Sequence, residues 1–444
     1  MKIQFLSIKK GAYNMPIIKN MEIVEKALDE VSIPRFVKVR QVFDGPVVEN
    51  IVRTTRTELT KKELQDRIKP NQKIAICVGS RGIANLAKVV KETVNYVKEK
   101  GATPIIFPTM GSHGTATAEG QRAILADFGI TSESMGAEIL SCMDVVQVGT
   151  INDGTPVYVE KNLPDMDGII IINRIKPHTS FSGNIESGII KMAVIGLGKH
   201  KGAETCHKLN FKDFAPRLIE MSRIIINKLP IIFGIGLIEN AYDQTAEIVT
   251  IPAEKVEEIE PQLLKKAKSY MPKILFANLD VLIIDEIGKN ISGSGADPNI
   301  TGRNTSPYKK ADFIPPKRVV IRDLTKETEG SAVGMGAADF ITEKIYNKFD
   351  MTKTYINCIT STNNGGAFMP MVMRNDYFAI KGGIKTCNRL DLDNARIVRI
   401  KNTLELENIY ISESLLEEAK NNQNIEILSE PFELKFDEEG YIVE

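Results

Sequence analysis

Short, unbroken apolar runs punctuate this chain. They fall at 73–78, 104–107, 168–172, 231–237, 281–284 and 318–321. Continuous apolarity, in place of strict alternation, predicts strands covered on both faces, as in parallel sheets. Between them lie longer stretches with apolar residues at helical spacing, as at 83–100 and 115–128. Strand alternating with helix predicts an α/β fold with mainly parallel sheets. Polar segments at 269–273 and 412–424 are the plausible boundaries. The expected organisation is two α/β domains, 1–270 and 271–444, with the site in the cleft between them.

A chain of 444 residues is long enough for two cores, and 43% hydrophobic with 26% charged residues is ordinary for a globular protein. Lys+Arg and Asp+Glu both number 57, and a net charge of zero argues against nucleic acid as the main partner. No apolar run approaches the roughly 18–20 residues of a membrane span. Five cysteines without CxxC spacing form neither a disulfide framework nor a zinc ribbon, which suits a cytoplasmic protein. The first apolar stretch is too short for a signal peptide. Codons for residues 10–12 can spell a ribosome-binding sequence, so Met15 rather than Met1 is the expected start.

Only four histidines are present, and all fall in or beside glycine-rich or polar loops. His113 lies in PTMGSHG (108–114) and His178 in KPHTSFSG (176–183), each just past an apolar run. Each reads either as a loop histidine bonded to its own backbone or as an acid–base group. A pair on opposite sides of a substrate would exchange protons on either face near neutral pH. Lys191, in GIIKMAVI (188–195), either reaches to solvent or is desolvated and reactive. His200 and His207 are seven apart in a segment that looks helical from about Ala203, too far apart along an axis for one metal to take both easily. His207 is the better metal ligand; His200 reads as a surface or phosphate-contacting residue. Gly196, Gly198 and Lys199 belong to a glycine-rich stretch able to cradle a phosphate. Arg81 and Lys289 follow two other runs and suit an anionic substrate, against the alternative of surface ion pairs. The polar stretch DEIGKNISGSGAD (285–297) reads as a binding loop; TSTNNGGAFMP (360–370) reads equally as a binding loop or a surface turn.

These loops together resemble the nickel-pincer lactate racemase family over most of the chain. The resemblance rests on the histidine of a glycine-rich loop (His113), on a Pro-His…Phe-Ser-Gly stretch (His178, Phe181), and on a lysine followed sixteen residues later by a histidine (Lys191, His207). It implies a nickel-pincer nucleotide, a pyridinium-3,5-bisthiocarboxylic acid mononucleotide, tethered on Lys191 with His207 as nickel ligand. It further implies His113 and His178 as catalytic acid and base, and Arg81, Lys289 and Glu286 about a 2-hydroxy acid substrate. The activity implied is racemisation or epimerisation by reversible hydride transfer, with cofactor-making enzymes as partners; an oligomer is compatible with the sequence. The family's Asp-x-Thr-Arg-Pro loop reads VGSRG at 78–82, and five extra residues precede Lys191. These departures surround the substrate, so a sugar-acid C2 epimerase stands beside a lactate-like racemase. Outside the class stand a zinc hydrolase using His113, His178 and His207, and a non-catalytic small-molecule-binding protein.

Overall fold

The computed structural model describes residues 21–79, 82–207 and 213–443, the side chain of His207 excepted. Met1, Met15 and Arg81 lie outside those residues. Among the described residues, no helix is long and apolar enough to cross a membrane.

Two sheets organise the chain, and each is mostly parallel. The first runs, in spatial order, Glu138–Ile139, Thr103–Pro108, Lys73–Val78, Gly168–Arg174, Ile231–Glu239 and Thr245–Pro252. Only its last pair is antiparallel. Alternate residues of each run point to opposite faces, and both faces are apolar. Ala75, Cys77, Ile169 and Ile171 enter one core, while Ile74, Ile76, Ile170 and Ile172 enter the other. The second sheet is ordered Met371–Met373, Phe340–Thr342, Arg318–Leu324, Val281–Ile287, Ile397–Ile400, Asn408–Ser412, Phe36–Gln41 and Ile425–Ile427. It is parallel as far as Ile397–Ile400 and antiparallel beyond.

Assigning everything before residue 271 to the first domain therefore needs one correction. Phe36–Gln41 pairs with Asn408–Ser412, Phe36 opposite Ser412, inside the second sheet. Phe36, Val37 and Val39 are fully buried there. The chain crosses between the two halves again near residue 271, and buried Gln41 ties the crossings together. Its side-chain amide donates to Lys273 O (3.1 Å) and Leu406 O (2.6 Å), and its Oε1 accepts from Leu275 N–H (2.7 Å).

Each sheet also contains a reversal of winding. In the first, the chain leaves Lys73–Val78 on one side and returns as Gly168–Arg174 on the other; in the second, Val281–Ile287 and Ile397–Ile400 have the same relation. Such a reversal opens a crevice beyond the carboxyl ends of the two strands. A cleft of about 890 Å³ joins the two crevices, lined by Ile83, His113, Arg174 and Lys176 from the first half and by Lys289 and Asp297 from the second.

Candidate active site

His113 is carried by the loop that leaves Thr103–Pro108. Thr109 N–H continues the sheet with a bond to Val78 O (2.8 Å), and His113 N–H closes a turn on Met110 O (3.1 Å). A second turn, Gly114–Ala116, precedes the helix Ala118–Asp127, which Thr117 caps through Gly120 N–H. Gly114 has φ +64°, and a Cβ there would stand 2.5 Å from the carbonyl carbon of Gly120. Only glycine fits both requirements. The loop is also held from the helix. Gln121 Nε2 donates to Gly111 O (2.9 Å) and His113 O (3.4 Å), leaving the imidazole exposed at the cleft.

A short backbone pairing of Lys176 with Ser187 closes the loop that carries His178. Buried Glu186 organises its interior, accepting from His178 N–H (2.6 Å) and Gly183 N–H (3.4 Å). Lys268 (2.7 Å) and Lys309 (3.6 Å) neutralise it. Burial holds the Lys309 ammonium below the ordinary lysine range, against the pull of Glu186. His178 Nδ1 accepts from Ser180 N–H (3.0 Å), so the neutral ring carries its proton on Nε2. The ring lies against Phe181, 4.5 Å between centroids. From the second half, Asn299 donates to His178 O (3.4 Å) and Ser306 to Ser180 O (2.7 Å). His178 thus stands at the seam between the halves, where its neighbour Thr179 lines the cleft.

Lys191 ends a short helix, Ile189–Lys191, and is half-buried. The helix start is capped by Glu260, whose Oε2 accepts from Ile189 N–H (2.8 Å) and Ile190 N–H (3.0 Å). Burial pushes the Glu260 carboxyl up to about 7, against the two N–H bonds that favour the anion. After Lys191 comes a π-helical turn, Met192–Gly196, and then the helix Lys199–His207, which begins earlier than the sequence suggests and carries both remaining histidines. Lys191, Gly196 and His113 line one pocket of about 130 Å³, with Asn173, Arg174, Lys176 and Met192.

Other expected site residues lie elsewhere. Lys199 is fully buried; its ammonium donates to Pro108 O (2.5 Å) and Gln121 Oε1 (3.0 Å), so no phosphate from the cleft reaches it. Burial lowers its pKa, against the pull of Glu160. Gly198 serves close packing, since a Cβ would meet Val194 O at 2.6 Å and Tyr158 O at 3.2 Å. His200 is exposed and lines neither cavity. Glu286 also lines neither; its Oε1 accepts from Asn402 Nδ2 (3.1 Å). Lys289 stands in the cleft beside Asn357 on the helix Met351–Thr360. Loop 285–297 lines the cleft through Lys289–Gly293 residues and Asp297, whereas 360–370 packs against the turn Met335–Ala337.

Residues not singled out from the sequence complete the site. Arg174, paired with Glu239, and Lys176 border both cavities. Their position just past the 168–172 run was a usable signal. Glu260 and Gln121 gave none, because each sits within an amphipathic helix whose partner is remote in sequence. Among the described residues no three His, Cys, Asp or Glu side chains cluster as metal ligands.

Residues 20–216 match the sequence profile of the lactate racemase N-terminal domain. The lactate racemase apoprotein from Thermoanaerobacterium thermosaccharolyticum aligns over 82% of this chain and 94% of its own, with a TM-score of 0.50 and 12% identity. A protein from Thermotoga maritima covers 63% of this chain and 72% of its own, with a TM-score of 0.47 and 15% identity. The first likeness is one of fold; the second is too slight to bear on the argument. No curated protein matches the chain.

Proposed function

We propose that this chain, whose residues 20–216 match the lactate racemase N-terminal domain profile, interconverts the two configurations at C2 of a 2-hydroxy acid. The observation that carries this reading is the sharing of one pocket by His113 and Lys191, beside a cleft faced by Lys289. The C2 hydrogen of a 2-hydroxy carboxylate is a very weak acid, and its removal as a proton would build a dianion. Departure as hydride, with the hydroxyl proton leaving separately, avoids that.

The cofactor this implies is a nickel-pincer nucleotide, which supplies a hydride acceptor when bound. Of the two donors it would need from the chain, Lys191 lines the pocket, and the His207 side chain lies outside the described residues. The group brings one carbon and two sulfurs to nickel, so the protein need contribute only one imidazole, assigned to His207, and one amine tether, assigned to Lys191. A cluster of protein ligands is not required. Arg174 and Lys176, where pocket and cleft meet, are cations suited to its phosphate.

The remaining work falls to the chain. His113 and His178 hold and return the hydroxyl proton, one for each face. Lys289 draws the carboxylate into the cleft by charge, a role the family resemblance also gives Arg81, which lies outside the described residues. A second, finer reading makes the substrate a larger polyhydroxy 2-hydroxy acid, such as an aldonate. Asn290, Ser292 and Asp297 in a cleft of about 890 Å³ favour it.

Co-expression with cofactor-making enzymes, then peptide mass spectrometry and metal analysis, tests the reading. It expects a mononucleotide-sized adduct on Lys191 and about one nickel per chain. Chiral 2-hydroxy acids, aldonates included, then identify the substrate. Unmodified Lys191 without nickel, despite an active cofactor supply, would remove the tether and nickel assignments. Zinc with esterase or amidase activity would support a hydrolase instead. Hydroxy-acid binding untouched by His113→Ala and His178→Ala, without turnover, would support a binding protein.

A further inference from the structure

Beneath the His113 loop lies a buried polar cluster whose side chains line neither cavity. Lys199, Gln121 and Glu160 are each 0% exposed. Burying an ammonium is costly unless its donors are used. Here Lys199 spends them on two segments at once, Pro108 O at the end of a strand and Gln121 Oε1 on the following helix. The amide of Gln121 is thereby oriented. With Oε1 facing the ammonium, Nε2 points to Gly111 O and His113 O. Lys199 adopts φ +52°, a left-handed conformation that a non-glycine residue takes only when its surroundings hold it. Opposite it, Glu160 anchors the same segment through its backbone, accepting nothing at Oε2 but donating its N–H to Leu197 O (2.8 Å).

The segment that starts this chain of bonds is the one that follows Lys191 through the π-helical turn. We propose that Lys199, acting through Gln121, is the positioning residue that fixes His113 relative to Lys191. A single buried cation couples the loop bearing one proposed acid–base group to the segment bearing the proposed tether. The effect on turnover rests on the function proposed above; the effect on His113 itself does not.

The test uses the whole chain without cofactor, labelled with ¹³C-histidine. Four histidines give few enough ring signals to follow, with His113 assigned by His113→Gln. Lys199→Met removes the cation. Gln121→Glu keeps a partner for Lys199 but sets an anion against the carbonyls of Gly111 and His113. Gln121→Met, which leaves the Lys199–Pro108 bond intact, serves if either of the first two fails to fold. The His113 signal should shift or broaden in each, with His178, held in a separate loop by Glu186, unchanged. In cofactor-loaded enzyme, kcat should fall about tenfold to a hundredfold with KM within about twofold, the signature of a displaced reacting group. An unmoved His113 signal beside a lowered unfolding temperature would overturn the proposal and leave Lys199 a purely structural residue. A moved signal in a chain that never turns over a hydroxy acid would uphold the positioning and reject the function.

Discussion

The carboxyl of Glu260 should make the stability of this protein fall as pH rises from acid to neutral. It is fully buried beneath the helix that carries Lys191, and burial raises its pKa from the ordinary 4.5 to about 7. A group whose folded pKa is raised favours folding fully below the unfolded value. That contribution is lost as pH climbs through the folded one. The window is therefore about pH 4.5 to 7, and the loss over it comes to about 3 kcal/mol. Glu260→Gln removes the titration while leaving an oxygen to accept from Ile189 and Ile190. Urea unfolding followed by far-ultraviolet circular dichroism suits a chain with no tryptophan. Measured at pH 5 and pH 8, the variant should gain on the parent by about 2.5 kcal/mol at the higher pH. A parent–variant difference constant across that range would refute the argument, because it would mean that the carboxyl is solvated or partnered in the folded state.

Two further perturbations probe the loops. Gly114→Ala forces a side chain into both a left-handed φ and a 2.5 Å approach to Gly120, and should destabilise the chain by about 1–3 kcal/mol in thermal unfolding; an unchanged midpoint would refute the strain. Lys309→Met removes a buried cation from beside Glu186 but leaves Lys268 in place. Hydrogen exchange at the amides of His178 and Gly183 should quicken about tenfold, with overall stability nearly unchanged, since desolvation of Lys309 offsets much of what the ion pair contributes. Unaltered exchange would separate the His178 loop from the second half of the molecule.

The sequence made the strands legible where burial on both faces left runs such as 168–172 without a polar residue. It did not reveal pairing partners. Phe36–Gln41 mixes Lys38 and Arg40 with apolar residues, and nothing local tells it to seek a strand near residue 410. The site divided along the same line. His113 and Lys289 follow strand ends, and that position brought them to the cavities, whereas Lys191 reaches its pocket from the short helix Ile189–Lys191. Lys199 was misread because lysine beside glycine ordinarily means a solvated or phosphate-facing charge. Its inward turn depends on Pro108 and Gln121, far back in the chain. Gly198 looked like part of a phosphate cradle, and its lack of a side chain instead lets a helix approach Tyr158. Glu260 stands in a helix with a half-buried Glu257 and an exposed Glu258 close by, and only the fold distinguishes the one that faces inward.

The place of Phe36–Gln41 in the second sheet has a consequence for synthesis. Phe36 leaves the ribosome 376 residues ahead of Ser412, its partner in the register. At usual rates of elongation that interval is about 20–75 seconds. The first sheet, complete by Pro252, has time to fold within it, while a strand with Phe36, Val37 and Val39 on it waits without a partner. An unpaired apolar strand invites association with other chains. The protein's most vulnerable moment is therefore the interval between completing one half and translating the last strands of the other, when chaperone protection of a short N-terminal segment would matter most.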